Sequence, residues 1–166
     1  MSEIARKVCM LGDFGVGKTS LVARFVRNTF SEKYLTTVGV KVDSRVVALS
    51  DDVDLKLVVW DIAGKAALDS VNKNYLRGAS GLILVADGTR EASLRAALNL
   101  AMQARDVIND PACVLFVNKL DLIDRWEVAP AVLAEIRRNL AVFETSALSG
   151  DGVEAGFAEL ARRLAP

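Results

Sequence analysis

Gly12-Asp13-Phe14-Gly15-Val16-Gly17-Lys18-Thr19 decides how this chain is read. A glycine, four free positions and then Gly-Lys-[Ser/Thr] is the pattern of a phosphate-binding loop. The apolar run Val8-Cys9-Met10-Leu11 before it reads as a buried strand. Leu21, Val22, Phe25 and Val26 after it mark the inner face of a helix. Glycines let the backbone turn so that successive N–H groups point inward around an anion. The helix that starts near Lys18 adds the positive end of its dipole. Asp13, Phe14, Gly15, Val16, Gly17, Lys18, Thr19 and Ser20 are therefore the candidate phosphate contacts. Lys18 is expected to bridge the β- and γ-phosphates, and Thr19 to offer its hydroxyl to Mg²⁺.

Outward from this loop, strand and helix signals alternate. Residues 5–11 read as the first strand, followed by the loop and a helix to Arg27. Residues 28–39 are polar and read as a loop. Two strand-like stretches, 40–49 and 54–61, flank the short polar Ser50-Asp51-Asp52 and predict an antiparallel hairpin. Residues 62–79 read as loop with a short irregular helix. Gly81-Leu82-Ile83-Leu84-Val85-Ala86-Asp87 and Cys113-Val114-Leu115-Phe116-Val117 are continuous apolar runs, as expected for strands buried on both faces. Leu94, Ala97, Leu98, Ala101 and Ile108 mark a helix between them. Val128, Val132, Leu133 and Ile136 mark another, Ala141-Val142-Phe143 a short strand, and Val153, Phe157, Leu160 and Leu164 the last helix. The alternation predicts an α/β fold with a mostly parallel sheet, helices on both faces, and ligands beyond the carboxyl ends of the strands.

Composition narrows the class. At 166 residues the chain is expected to form a single domain, residues 1–166, with a proper core. Lys+Arg and Asp+Glu balance at 21 each, which argues against nucleic acid or an anionic membrane as partner. Cys9 and Cys113 lie in apolar runs and read as reduced core residues of a cytosolic protein. There is no histidine, so histidine acid–base chemistry and histidine metal ligation are excluded. No apolar run approaches a membrane span, and the N-terminal residues do not form a signal peptide.

The later strand ends carry matching chemistry. Trp60-Asp61-Ile62-Ala63-Gly64 closes the third strand. There Asp61 can hold a water on Mg²⁺, and Gly64 can approach the γ-phosphate through its N–H. The fifth strand ends in Asn118-Lys119-Leu120-Asp121, which bears on the identity of the base. A carboxylate at Asp121 can accept from guanine N1–H and from its exocyclic amine. Adenine offers neither at that edge, and leaving the carboxylate unsatisfied costs several kcal/mol. The Lys119 stem can lie over the base, and Asn118 can tie this loop to the phosphate loop. After the sixth strand, Glu144-Thr145-Ser146-Ala147 can present a backbone N–H to the guanine carbonyl.

The ordered set Gly12–Thr19, Thr37, Asp61–Gly64, Asn118–Asp121 and Ser146–Ala147 resembles the Ras-like small GTPases. Gly12-Asp13, Thr37-Val38-Gly39-Val40 and Trp60-Asp61 look most like the Rab branch. The resemblance implies a six-stranded, five-helix domain, with one antiparallel edge strand, that binds GTP or GDP with Mg²⁺. It implies a molecular switch read by effectors, exchange factors and activating proteins. By position, Phe30 would stack on guanine and Tyr34 would cover the phosphates. Thr37 would reach Mg²⁺ and the γ-phosphate, and the segment after Gly64 would be the second switch. Lys18, Thr37, Gly64 and the residue after it are then the candidates for catalysis.

Three departures from the family qualify this. The water-orienting Gln after Asp-x-x-Gly is replaced by Lys65, a donor that cannot accept a hydrogen bond from water. Phe14 stands where the family has a small residue, and its ring would crowd the space of an incoming arginine finger. Ala66-Ala67-Leu68 replaces the usual charged pair of the second switch, which puts contacts with standard exchange factors in doubt. Leu148 replaces a Lys that packs on the base but leaves the Ala147 backbone available. Very slow hydrolysis is the expectation, with a non-hydrolysing GTP-binding scaffold as the alternative. A phosphotransferase acting on a small metabolite is disfavoured by Asp121 and by the lack of an Arg-rich lid. The final Ala165-Pro166 offers no cysteine to prenylate and the start is not Met-Gly, so no lipid anchor is expected. The abundance of Ala suggests a bacterial or archaeal member, and with it a roadblock-type regulator.

Overall fold

Apolar runs that continue without alternation have to be covered on both sides, and the sheet shows how. The computed structural model describes residues 2–27, 40–62 and 73–166. Its strands are β1 (Ser2–Gly12), β2 (Val40–Ala48), β3 (Val53–Ile62), β4 (Gly81–Asp87), β5 (Ala112–Asn118) and β6 (Ala141–Glu144). They form one six-stranded sheet in the order β2-β3-β1-β4-β5-β6. All neighbours pair in parallel except β2 with β3, where Val40 faces Ile62 and Ala48 faces Asp54 across a hairpin. The helices are α1 (Lys18–Arg27), α2 (Lys73–Leu76), α3 (Glu91–Ala104), α4 (Pro130–Arg137) and α5 (Val153–Arg163). The expected mostly parallel sheet with one antiparallel edge strand and flanking helices is what forms.

The alternation of side chains along each strand divides the core into two layers. Val8, Met10, Ile83, Val85 and Phe116 face α1 and α5, packing on Leu21, Val22, Phe25, Phe157 and Leu160. Cys9, Leu11, Leu82, Leu84 and Leu115 face the other way, onto Leu94, Ala97, Ala101 and Leu133. Every residue of β4 is buried, which is why its sequence shows no period of two. In the first layer Phe25 stacks on Phe157 at 3.8 Å between centroids, and Phe116 meets Phe157 edge-on at 5.3 Å. A Cβ on Gly156 would lie 2.3 Å from the Phe116 ring, so this close approach of α5 to the sheet requires glycine. Burial raises the Cys9 thiol to about 12 and the Cys113 thiol to about 11.

The element boundaries differ from the sequence pattern in three places. β1 begins at Ser2 rather than near residue 5, because parallel pairing with β3 extends to Ser2 opposite Val53. Ile108 lies beyond α3, in a turn that keeps the spacing through Ile108 N–H donating to the Ala104 carbonyl at 2.9 Å. Val128 precedes α4, which starts at Pro130 as its fixed φ favours. A further element, unmarked in the sequence pattern, is the 3₁₀ turn Leu120–Arg125.

The order reverses beside β1, whose neighbours β3 and β4 are reached by connections on opposite sides. The crevice at the carboxyl end of β1 is therefore the topological switch point. Residues 13–17 occupy it.

Candidate functional site

Gly15 and Gly17 adopt φ of 79° and 101°, in the left-handed region where a Cβ is strained. Gly17 is also pressed from outside: a Cβ there would lie 2.3 Å from Asn118 Nδ2. Between these turns the Lys18 side chain folds inward and is buried. Its Nζ donates to the Gly12 carbonyl at 3.1 Å and reaches the Asp13 carbonyl at 3.5 Å. Burial draws the Lys18 pKa below the usual lysine range, opposed by the nearby Asp61 and Asp13 carboxylates. An ammonium desolvated in this way gains from an anionic partner.

At the first turn of α1 the Thr19 hydroxyl donates to Asp61 Oδ2 at 2.7 Å. Asp61 is buried near the end of β3, so register places both oxygens at the phosphate loop. Among the described residues no group of three or more His, Cys, Asp or Glu side chains could hold a metal by itself. Mg²⁺ commonly takes one or two protein oxygens and completes its octahedron with water and substrate phosphate. The Thr19–Asp61 pair fits that ion. It does not fit a metal that needs an all-protein cage.

The base side is assembled from β5 and β6. Asn118 is buried and acts as a three-way node. Its Nδ2 donates to the Val16 carbonyl at 3.0 Å, and its Oδ1 accepts from Thr145 Oγ1 at 3.1 Å and Ala147 N–H at 3.3 Å. The phosphate loop and the two base loops are thus joined through one amide. Asp121 is exposed, and its Oδ1 accepts from the Ser146 hydroxyl at 2.7 Å. Ser146 also takes the Ser149 N–H on its Oγ, which orients the hydroxyl toward Asp121. Lys119 adopts a left-handed backbone at φ 73°. The Trp126 indole N–H holds its carbonyl at 2.8 Å. The Lys119 ammonium is anchored 2.9 Å from Asp87 Oδ2. Phe14 is 47% exposed, and Leu148 is 49% exposed.

Phe30, Tyr34, Thr37, Gly64 and Lys65 lie outside the described residues. So do Ala66, Ala67, Leu68 and the rest of residues 28–39, which the sequence reads as a loop.

Several residues that no motif marked hold the site together. Asp87 ends β4 and is buried; its Oδ1 accepts from Thr89 N–H at 2.8 Å and Thr89 Oγ1 at 2.6 Å. Burial alone would raise its pKa, but the Thr89 and Lys119 hydrogen bonds prevail and lower it. Arg24, on α1, donates to the Ala147 carbonyl at 2.9 Å and the Leu148 carbonyl at 2.6 Å, fixing the loop that follows β6. Arg90 and Trp126 brace the loops after β4 and β5. The one sequence signal for any of these was Asp87, a carboxylate terminating an otherwise apolar strand.

A sequence model described as the Ras family matches residues 7–165. The chain is 34% identical over 162 residues to the Ras-related protein Rab-1 of Theileria annulata, covering 95% of this chain and 73% of that protein. It is 35% identical over 163 residues to the Ras-related protein Rab-13 of Canis lupus familiaris, covering 95% and 79%. It is 32% identical over 161 residues to the GTP-binding protein ypt1 of Schizosaccharomyces pombe, covering 95% and 79%. Strand order, the phosphate loop and these relatives agree, and the chain belongs to the Ras family as a Rab-like small GTPase.

Proposed function

We propose that this protein is a GTP/GDP molecular switch of the trafficking or signalling kind, dependent on Mg²⁺, that hydrolyses GTP very slowly. The observation that carries the reading is the Asn118 node, which joins Val16 of the phosphate loop to both base loops in one buried cluster. A purine with a phosphate tail is the ligand chemistry that needs those loops held together.

In this reading the N–H groups of residues 15–19 and the Lys18 ammonium bind the phosphates. Thr19 would hold Mg²⁺ directly and Asp61 through a water, and the ion would supply charge neutralisation on the phosphates. Asp121 accepts from guanine, with Ser146 holding its other oxygen in place. Thr37 and Gly64 sense the γ-phosphate and order the two switch loops, and partners that bind only one arrangement read the nucleotide. Slow turnover follows from Lys65 and Phe14. Intrinsic hydrolysis in the family is already roughly 10⁻⁴ s⁻¹. Loss of the water-orienting group removes a further ~1–3 kcal/mol, roughly fivefold to a hundred-and-fiftyfold in rate. The same two residues favour a second reading, a GTP-retaining scaffold that does not turn over. The three relatives named above, Rab and Ypt proteins, lend no support to a roadblock-type regulator.

The test is to identify the nucleotide that co-purifies and follow its conversion with Mg²⁺ over hours. Bound GTP that decays slowly to GDP is expected, and bound GTP that persists favours the scaffold. ATP competing on equal terms with GTP would overturn both.

A further inference from the structure

A guanidinium lies against the phosphate loop from a direction that no motif predicts. Arg90 precedes α3 and extends back across the end of β4. Its Nη2 donates to the Phe14 carbonyl at 2.7 Å, and its Nη1 lies 3.6 Å from Asp13 Oδ2. Its Nε lies 3.4 Å from Asp87 Oδ2, the same oxygen that holds the Lys119 ammonium at 2.9 Å. A continuous ionic chain therefore runs from the base loop to the phosphate loop: Lys119, Asp87, Arg90, then Asp13 and Phe14. The planar fork of an arginine can serve these acceptors at once, which a lysine ammonium on its single point of charge cannot.

We propose that Arg90 is a positioning residue that pins the outer half of the phosphate loop and slows nucleotide release. This rests on the guanine-nucleotide reading. Two effects combine. The Phe14 carbonyl is fixed, so the loop keeps the curvature that aims its N–H groups inward. The Asp13 carboxylate, a negative charge beside a polyanion site, is compensated by an opposite charge. Asp13 Oδ1 meanwhile accepts from the Phe14 N–H at 2.8 Å, a bond that an asparagine at this position would keep.

The Asp13→Asn substitution therefore separates positioning from mere packing. The full chain is loaded with fluorescent GDP and release is followed after adding excess unlabelled GDP. Arg90→Gln is expected to release GDP about tenfold faster, with Arg90→Lys in between. Adding Asp13→Asn to Arg90→Gln is expected to slow release again, because the uncompensated charge is gone. The Arg90 side chain is 42% exposed and its ion pair with Asp87 correspondingly weak, so the unfolding midpoint of Arg90→Gln without added nucleotide should lie close to that of the parent. Release of Arg90→Gln within twofold of the parent overturns the proposal. So does faster release with a lowered midpoint and no recovery by Asp13→Asn. A parent chain that takes up no GDP at all sinks the guanine-nucleotide reading itself, which is a different result.

Discussion

Changing Asn118 to Asp alters one atom type at the centre of the site and leaves the volume unchanged. No cavity forms, and the side chain keeps an oxygen for Thr145 Oγ1 and Ala147 N–H. What is lost is the only kind of group that can face the Val16 carbonyl at 3.0 Å, a donor. The carbonyl is left without that bond, at a cost of ~1–3 kcal/mol. A carboxylate that is 3% exposed then faces it, adding desolvation and repulsion that protein relaxation reduces to about 1–3 kcal/mol more. The sum, roughly 2–6 kcal/mol, corresponds to a loss of GDP affinity of about thirtyfold to about twenty-thousandfold. Fluorescent GDP dissociation and equilibrium competition measure it. Thr145→Val, which removes a single donor to the same amide, should cost ~1 kcal/mol, or about fivefold. The pH dependence gives the cause. Burial raises the pKa of the introduced carboxyl, and its protonated form can again donate to Val16. The penalty should therefore shrink as pH falls from 8 to 6. If Asn118→Asp binds GDP within threefold of the parent, the amide is not the node described here.

Other consequences are open to test. Phe14→Ala exposes no core and should leave stability within about 0.5 kcal/mol, while raising single-turnover GTP hydrolysis and sensitivity to an arginine-finger activator; an unchanged rate removes Phe14 from the explanation. Asp87 has a lowered pKa, so its contribution to stability is complete above the usual carboxylate value of 3.8 and is lost as pH falls below it. Urea midpoints should therefore drop more steeply below pH 4 in the parent than in Asp87→Asn, and parallel curves would show that the carboxylate is not stabilised by its partners. Cys9 and Cys113, with thiols raised to about 12 and about 11, should resist a thiol reagent at pH 8 in the folded protein and react on unfolding. Rapid native labelling of either would place it outside the core.

The fold was readable from sequence because its strongest signals are local. β4 and β5 are unbroken apolar runs that only a sheet covered on both faces can satisfy. The phosphate loop fixes which end of β1 bears the ligand. The motif residues come together because parallel strands deliver their carboxyl ends to one edge, so their order along the chain is enough to predict their neighbourhood. Helix ends were less legible. Ile108 and Val128 are buried at helical spacing, yet a turn and a bend carry them. Burial sets the spacing of apolar residues, and hydrogen bonding sets where a helix stops.

The braces around the motifs were not legible for a different reason. Arg90 and Phe14 are 76 positions apart, and Arg24 and Ala147 are 123 apart. Twenty-one basic side chains are available, and nothing in the sequence singles out those two. A motif is a statement about residues that touch the ligand, and its spacing is constrained by the ligand's shape. A brace is constrained only to reach a carbonyl from whichever neighbouring element comes close. Lys119 illustrates the consequence. The motif places its stem over the base, and its head is fixed by Asp87, a partner from another strand. The ammonium's anchor limits how the stem can lie, so the geometry offered to a base depends on Asp87 as well as on the motif. Relatives with the same motifs and different braces should therefore differ in how fast they release nucleotide more than in which nucleotide they choose.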